Sequence, residues 1–153
     1  VNGVMKMESR VTPVWDILVL KANTARQSKQ HALDKVKKIK LQTISRQSKV
    51  DTLLKEYQDR MEAMQEGSHN SAQAENHRNF IFQLMDIQNR TSTELAGIEA
   101  DVVEARKALL ITEQECLKAD YLAKRNKDNQ MNALLTREAR ENDAQGMMQF
   151  NMK

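Results

Sequence analysis

The chain has 153 residues, of which 29% are charged and only 4% aromatic, with one proline, four glycines and one cysteine. That composition excludes an internal disulfide and argues against a compact globule, whose core draws on more large apolar side chains. The net charge of +3 is unevenly split: residues 1–50 hold 11 Lys/Arg against 3 Asp/Glu, and residues 51–153 hold 13 against 18. A basic half followed by an acidic half is a first sign that the two pair with each other.

In chain order, residues 1–11 are expected to form a flexible leader. Val1 stands where a methionine would be ordinary, so a translated non-AUG codon is one reading, with Met5 or Met7 as the native start. No secretory signal is visible. Thr12-Pro13 opens the first predicted helix, with Thr as N-cap and Pro at the first helical position, where its missing N–H costs nothing. The longest apolar run of this helix is Ile17-Leu18-Val19-Leu20, far below the ~20 residues that span a bilayer, so no direct membrane insertion is expected.

From Trp15 to Met64, alternating steps of three and four touch 15 positions, and 11 are apolar: Trp15, Leu18, Ala22, Ala25, Ala32, Val36, Ile39, Val50, Leu53, Tyr57 and Met64. Lys29, Thr43, Arg46 and Arg60 are the exceptions. A sustained heptad stripe without glycine or proline predicts a coiled-coil helix over 12–66, and it argues against disorder. Glu66-Gly67-Ser68-His69-Asn70-Ser71 then predicts a turn at 67–73, with Asn70 and Gln73 as a capping box.

The second stripe runs Phe80, Leu84, Ile87, Thr91, Leu95, Ile98, Val102, Ala105, Leu109, Thr112, Cys116, Ala119, Ala123, predicting a helix over 74–145. Consecutive fours at Ile87-Thr91-Leu95 predict a stutter. Beyond Ala123 the stripe turns polar at Asn126 and Gln130. Leu134, Leu135 and a flexible tail at 146–153 rich in methionine follow.

Folding the chain about residue 70 makes partner numbers sum to roughly 140. Leu53 and Tyr57 then meet Ile87 and Leu84, and Lys35, Lys37, Lys38 and Lys40 lie opposite Glu99, Asp101 and Glu104. The fold class expected is all-α: a long antiparallel two-helix coiled-coil hairpin with an overhanging C-terminal helix. About 50 paired residues at ~1.5 Å each give a rod of ~75 Å. Such a hairpin closes its own seam and is expected to be monomeric when free.

The candidate chemistry is sparse. His31, His69 and His77 lack metal-ligand spacing and read as surface histidines. Cys116 falls on the apolar stripe and reads as a buried, inert thiol. Carboxylates spread along solvated helix faces offer no desolvated pair for acid–base work, and no glycine-rich phosphate loop exists. The expectation is therefore no enzyme, with no catalytic residue, metal or cofactor. The Lys35–Lys40 cluster lacks aromatic residues for base stacking between Trp15 and Tyr57, so no nucleic-acid binding is expected. Arg26-Gln27-Ser28-Lys29 recurs at 46–49, but an offset of twenty residues is no whole number of heptads and makes no repeat. Tyr57, Phe80 and Leu84 cluster near the turn, where they serve as seam packing or, if their edges are exposed, as a contact surface. Phe82 lies off the seam, and its exposure would mark such a surface.

Three local stretches stand out: Leu53-Leu54-Lys55-Glu56-Tyr57-Gln58-Asp59-Arg60, Asn79-Phe80-Ile81-Phe82-Gln83-Leu84, and Glu115-Cys116-Leu117-Lys118-Ala119 with Leu122-Ala123-Lys124-Arg125. Through them the chain resembles the flagellar export protein FliJ family, most clearly over residues 50–125. The resemblance implies a cytoplasmic stalk-like protein of flagellar or type III export, peripherally associated with the inner-membrane export apparatus. The paired helix ends would bind the hexameric export ATPase, here through Trp15, Ile17, Leu18, Leu134 and Leu135. The surface near the turn would bind the cytoplasmic domain of the export gate protein, at Leu54, Tyr57, Phe80 and Leu84. The family's pattern is departed from at Val50, Met61, Ile87 and Thr91. Export chaperones are implied as further partners, without assigned residues. The alternative is a self-associating structural or chaperone-like coiled coil.

Overall fold

A computed structural model describes residues 13–67 and 71–152. The chain is all-α, with two long helices packed against each other. α1 runs Pro13–Gln65 over 53 residues and α2 runs Ser71–Asn151 over 81 residues. The Gly67 N–H donates to the Met64 carbonyl at 3.4 Å, closing the last turn before the connection. α2 starts three residues before the expected 74 and continues past 145 to Asn151, carrying the isolated Gly146 at a cost of about 1 kcal/mol. The proposed leader, the Thr12 cap, His69 and the Asn70 half of the capping box lie outside the described residues.

The helices divide between two compact units, residues 29–109 and residues 1–28 with 110–153. From Leu33 onward, the buried and half-buried residues of α1 are Leu33, Val36, Lys40, Thr43, Gln47, Val50, Leu54, Tyr57, Met61 and Met64. Those of α2 include Ile81, Leu84, Gln88, Thr91, Leu95, Ile98, Val102, Ala105 and Leu109. Both series step by threes and fours without a break. Leu33, Val102 and Leu109 form a buried cluster, with Val36 and Ala105 packed against it.

This seam corrects the expected one. In α1 the positions Val36, Thr43, Val50, Tyr57 and Met64 stand as expected. The positions between them fall one residue later: Leu33 replaces Ala32, Lys40 replaces Ile39, Gln47 replaces Arg46, Leu54 replaces Leu53, and Met61 replaces Arg60. Leu53 is 41% exposed and Leu54 is 8% exposed. Neighbouring apolar pairs let an apolar tally choose either residue, and the tally preferred Ile39 over Lys40 because it cannot credit a lysine that buries its stem. The same slip removes the stutter. Ile81 and Gln88 occupy the seam, while Phe80 and Ile87 sit on its exposed flank.

Thr43 and Thr91 are buried at 0% and 3% exposure. Each hydroxyl donates to the carbonyl four residues back, to Ile39 at 2.9 Å and to Ile87 at 2.8 Å. Each is thereby satisfied inside its own helix, which makes a small polar seam residue tolerable.

Polar contacts between the helices follow an ordered series. Arg46 donates to both Glu94 oxygens at 3.2 and 3.4 Å, Gln47 to Ser92 Oγ at 3.3 Å, and Gln88 to Asp51 at 2.7 Å. As the α1 number rises, the α2 number falls. The expected ladder from Lys35–Lys40 to Glu99, Asp101 and Glu104 is absent as ion pairs among the described residues. Glu104 pairs instead with Lys107 of its own helix at 3.5 Å. Exposed lysines gain too little from such contacts to hold long side chains in place.

In the unit formed by 1–28 and 110–153, Cys116 and Ala123 are buried, with Trp15, Val19, Ala22, Thr112 and Ala119 half-buried. Val19, not Leu18, is the more enclosed residue of that pair. Asn126 is the last half-buried residue, and every described residue from 127 to 152 is exposed.

Leu54→Ala should lower the unfolding free energy by about 2–5 kcal/mol, whereas Leu53→Ala should cost under about 1 kcal/mol. Urea unfolding followed by helical circular dichroism tests this, and equal losses would contradict the seam described above.

Candidate protein-interaction surfaces

Residues on both helices within the unit 29–109 build a compact aromatic group. The Tyr57 ring lies 4.5 Å from Phe80 at 51° and 5.4 Å from His77 at 43°, both tilted pairings. These are geometries that aromatic quadrupoles favour. The Arg60 guanidinium stands 5.1 Å above the Tyr57 ring, within cation–π range. His77 Nδ1 is 3.2 Å from the Gln73 carbonyl one turn earlier. The half-buried Tyr57 is thus held by an aromatic ring on one helix and a cation on its own.

The four residues expected at the gate differ in exposure. Leu54 and Leu84 are buried in the seam, Tyr57 is half-buried, and Phe80 shows an exposed edge. Phe82 is 65% exposed and Met85 41%. These side chains are the exposed aromatic and apolar area nearest Tyr57 in sequence on α2. Sequence reasoning missed Arg60 and His77 as members of the group. His77 was read as a simple surface histidine, yet it is half-buried against Tyr57. The spacing Tyr57–Arg60 and His77–Phe80, three residues in each case, places each pair on one helix face and was the available signal.

The unit of residues 1–28 and 110–153 holds the second set. Trp15 is half-buried, while Ile17, Leu18, Leu134 and Leu135 are exposed by 44–54%. Met147, Met148, Phe150 and Met152 are more exposed still. Apolar side chains left in water along a helix are docking material. Among the described residues, no group of three or more His, Cys, Asp or Glu could hold a metal ion. No described helix is long and apolar enough to cross a membrane.

Two long packed helices that leave apolar side chains exposed define an all-helical coiled-coil class of protein. The family model of the flagellar FliJ protein matches residues 21–153, and the chain belongs to that family. As a member it is a component of flagellar or type III protein export. The fold is similar to the 2.8 Å crystal structure of the type III secretion protein YscO from Vibrio parahaemolyticus, with a TM-score of 0.72. That similarity covers 97% of this chain and 94% of the other at 15% identity. No curated protein sequence matches the chain.

Substituting Tyr57 by Ala should speed amide hydrogen exchange around residues 57–61 and 77–81, because the aromatic group loses its centre. Phe82→Ser should leave exchange there unchanged. Equal acceleration by both would mean that Phe82 packs in the fold and is no free surface.

Proposed function

We propose that the chain is a non-enzymatic, stalk-like component of the export apparatus. In this reading it is an antiparallel hairpin whose α2 overhangs, binding the hexameric export ATPase at its paired ends and the cytoplasmic domain of the export gate protein near its turn. The observation that carries the reading is the run of exposed residues from 127 to 151, which remains helical after burial ends at Asn126. A helix that continues without a packing face of its own gains its stability from a partner. The falling α2 partners of Arg46, Gln47 and Asp51 support the antiparallel arrangement.

Trp15, Ile17, Leu18, Leu134 and Leu135 are the proposed ATPase contacts. An asymmetric apolar end that fits one conformation of a ring subunit better than another shifts the ring by that difference in affinity. At the gate, Tyr57 and Phe80 supply the contact edge, while Leu54 and Leu84 hold the two helices behind it. Export chaperones are further partners in this reading. The chain works in the cytoplasm, held at the inner-membrane apparatus through proteins and not by insertion into lipid.

Deleting residues 127–153 should abolish stimulation of ATP hydrolysis by the cognate export ATPase while leaving the remaining helices folded. Unchanged stimulation would remove the ATPase assignment. Phe80→Ala should weaken binding to the purified gate domain by about tenfold or more, as loss of an aromatic anchor does. Measured by titration calorimetry, an unchanged affinity would move the gate surface elsewhere.

A further inference from the structure

Within the unit of residues 29–109, one ridge of α1 points away from the seam. His31, Lys35, Lys38, Gln42, Ser45 and Lys49 fall on alternating steps of four and three, and all six are exposed. The ridge holds no carboxylate and no apolar side chain. At ~1.5 Å per residue it runs for about 27 Å. Beyond Lys49 the same row continues as Thr52, Glu56 and Asp59, so its basic character ends there. Residues 31–49 hold six Lys/Arg and one acid, Asp34. Among the described residues, Lys35, Lys38 and Lys49 form no ion pair. The acidic residues of α2 leave these ammonium groups without a partner.

The flanks differ from the ridge. On one stand Asp34, which accepts a hydrogen bond from Gln30 at 3.0 Å, and Leu41, 68% exposed. On the other stand Ile39 and Arg46, and Glu94 already holds Arg46 at 3.2 Å. A concave polyanion, such as the groove of a nucleic-acid duplex, would reach both flanks and press its phosphates against the carboxylates of Asp34 and Glu94. A flat anionic surface meets the ridge alone. The ridge also has no aromatic side chain on which bases could stack. Protein partners are anchored by buried aromatic, arginine or aliphatic groups. Ile39 and Leu41 lie on opposite flanks and make no continuous apolar strip for that purpose. The fixed cations of the ridge are all lysines. Lysine is a compact point charge suited to phosphate, without the planar fork that arginine offers a carboxylate.

We propose that this ridge lies along an anionic phospholipid surface, with Lys35, Lys38 and Lys49 among the headgroup phosphates. A row of lysines gains from the negative potential of such a surface, and the gain fades within a Debye length. The contact is adsorption, because the ridge has no apolar side chain to place in the hydrocarbon. It adds headgroups to the protein contacts that hold the chain at the inner membrane. Its use in the cell rests on that proposed location, whereas the binding itself does not.

Co-sedimentation of the full chain with vesicles of phosphatidylcholine alone, or of phosphatidylcholine mixed with phosphatidylglycerol, tests the contact at low and at physiological salt. The expected result is binding to the mixed vesicles only, weakening as salt rises. Lys35→Glu/Lys38→Glu should lower the partition coefficient by about tenfold or more with helicity retained. Arg90→Glu/Lys107→Glu makes the same change of net charge at exposed positions of α2 and should lower it far less. A DNA duplex at matched phosphate concentration should not displace the chain from the vesicles. No binding, equal partition onto both kinds of vesicle, equal loss in the two variants, or displacement by the duplex would overturn the proposal. These measurements need no export ATPase and no gate protein, so their failure leaves the stalk reading intact, and loss of ATPase stimulation leaves the lipid contact untouched.

Discussion

The structure depends on a narrow seam that repeats every seven residues on both helices. It has few large side chains to work with. Leu33, Leu54, Leu84, Val102 and Leu109 supply much of the buried apolar surface, while Thr43 and Thr91 sit fully enclosed between them. Lys40, Gln47 and Gln88 occupy further seam positions and remain half-exposed. A seam of this kind gains less from burial than a leucine-rich one, and its polar members favour one alignment over others. Arg46 with Glu94 and Gln88 with Asp51 then tie the helices at its margin. Individually such exposed contacts contribute little; their consistent spacing is what makes them informative about alignment.

Much of this was legible from the residues. The absence of glycine and proline across 14–65, the turn formers after Glu66 and the two heptad stripes define the helices. The antiparallel direction, expected from charge asymmetry and a short connection, remains part of the proposed reading. What escaped was the phase of every second seam position. Leu53-Leu54 and Ala32-Leu33 are apolar at both residues, so periodicity alone cannot choose between them, and packing geometry decides. Ile39 lost to Lys40, and Ile87 to Gln88, because a long polar side chain can line a seam with its stem and keep its end in water. The stutter inferred at Ile87-Thr91-Leu95 arose from that same misassigned residue. The aromatic group was half legible: Tyr57 and Phe80 stood out by type, whereas Arg60 and His77 joined it through spacing that a search for metal ligands and nucleophiles overlooks.

The exposed apolar residues of α2 beyond Leu109 escaped for another reason. An apolar residue outside the inner seam reads as an isolated exposed leucine, which is normal on protein surfaces. Only once the inner positions are known do Leu110, Leu117 and Tyr121 stand out as apolar residues on a face of α2 turned away from them. The same α2 thus has one face committed to α1 and another left in water. In the proposed reading, those exposed faces carry the function: an aromatic edge at Tyr57 and Phe80 in one unit, and apolar helix surface in the other.

The most direct test of the stalk account is ATP hydrolysis by the cognate export ATPase, titrated with the full chain beside a coiled coil of matched charge. The account predicts saturable stimulation together with a shift of the ATPase to its ring form, and no response to the control. Hydrolysis and assembly that stay flat across a saturating range, or respond equally to both coiled coils, would contradict it.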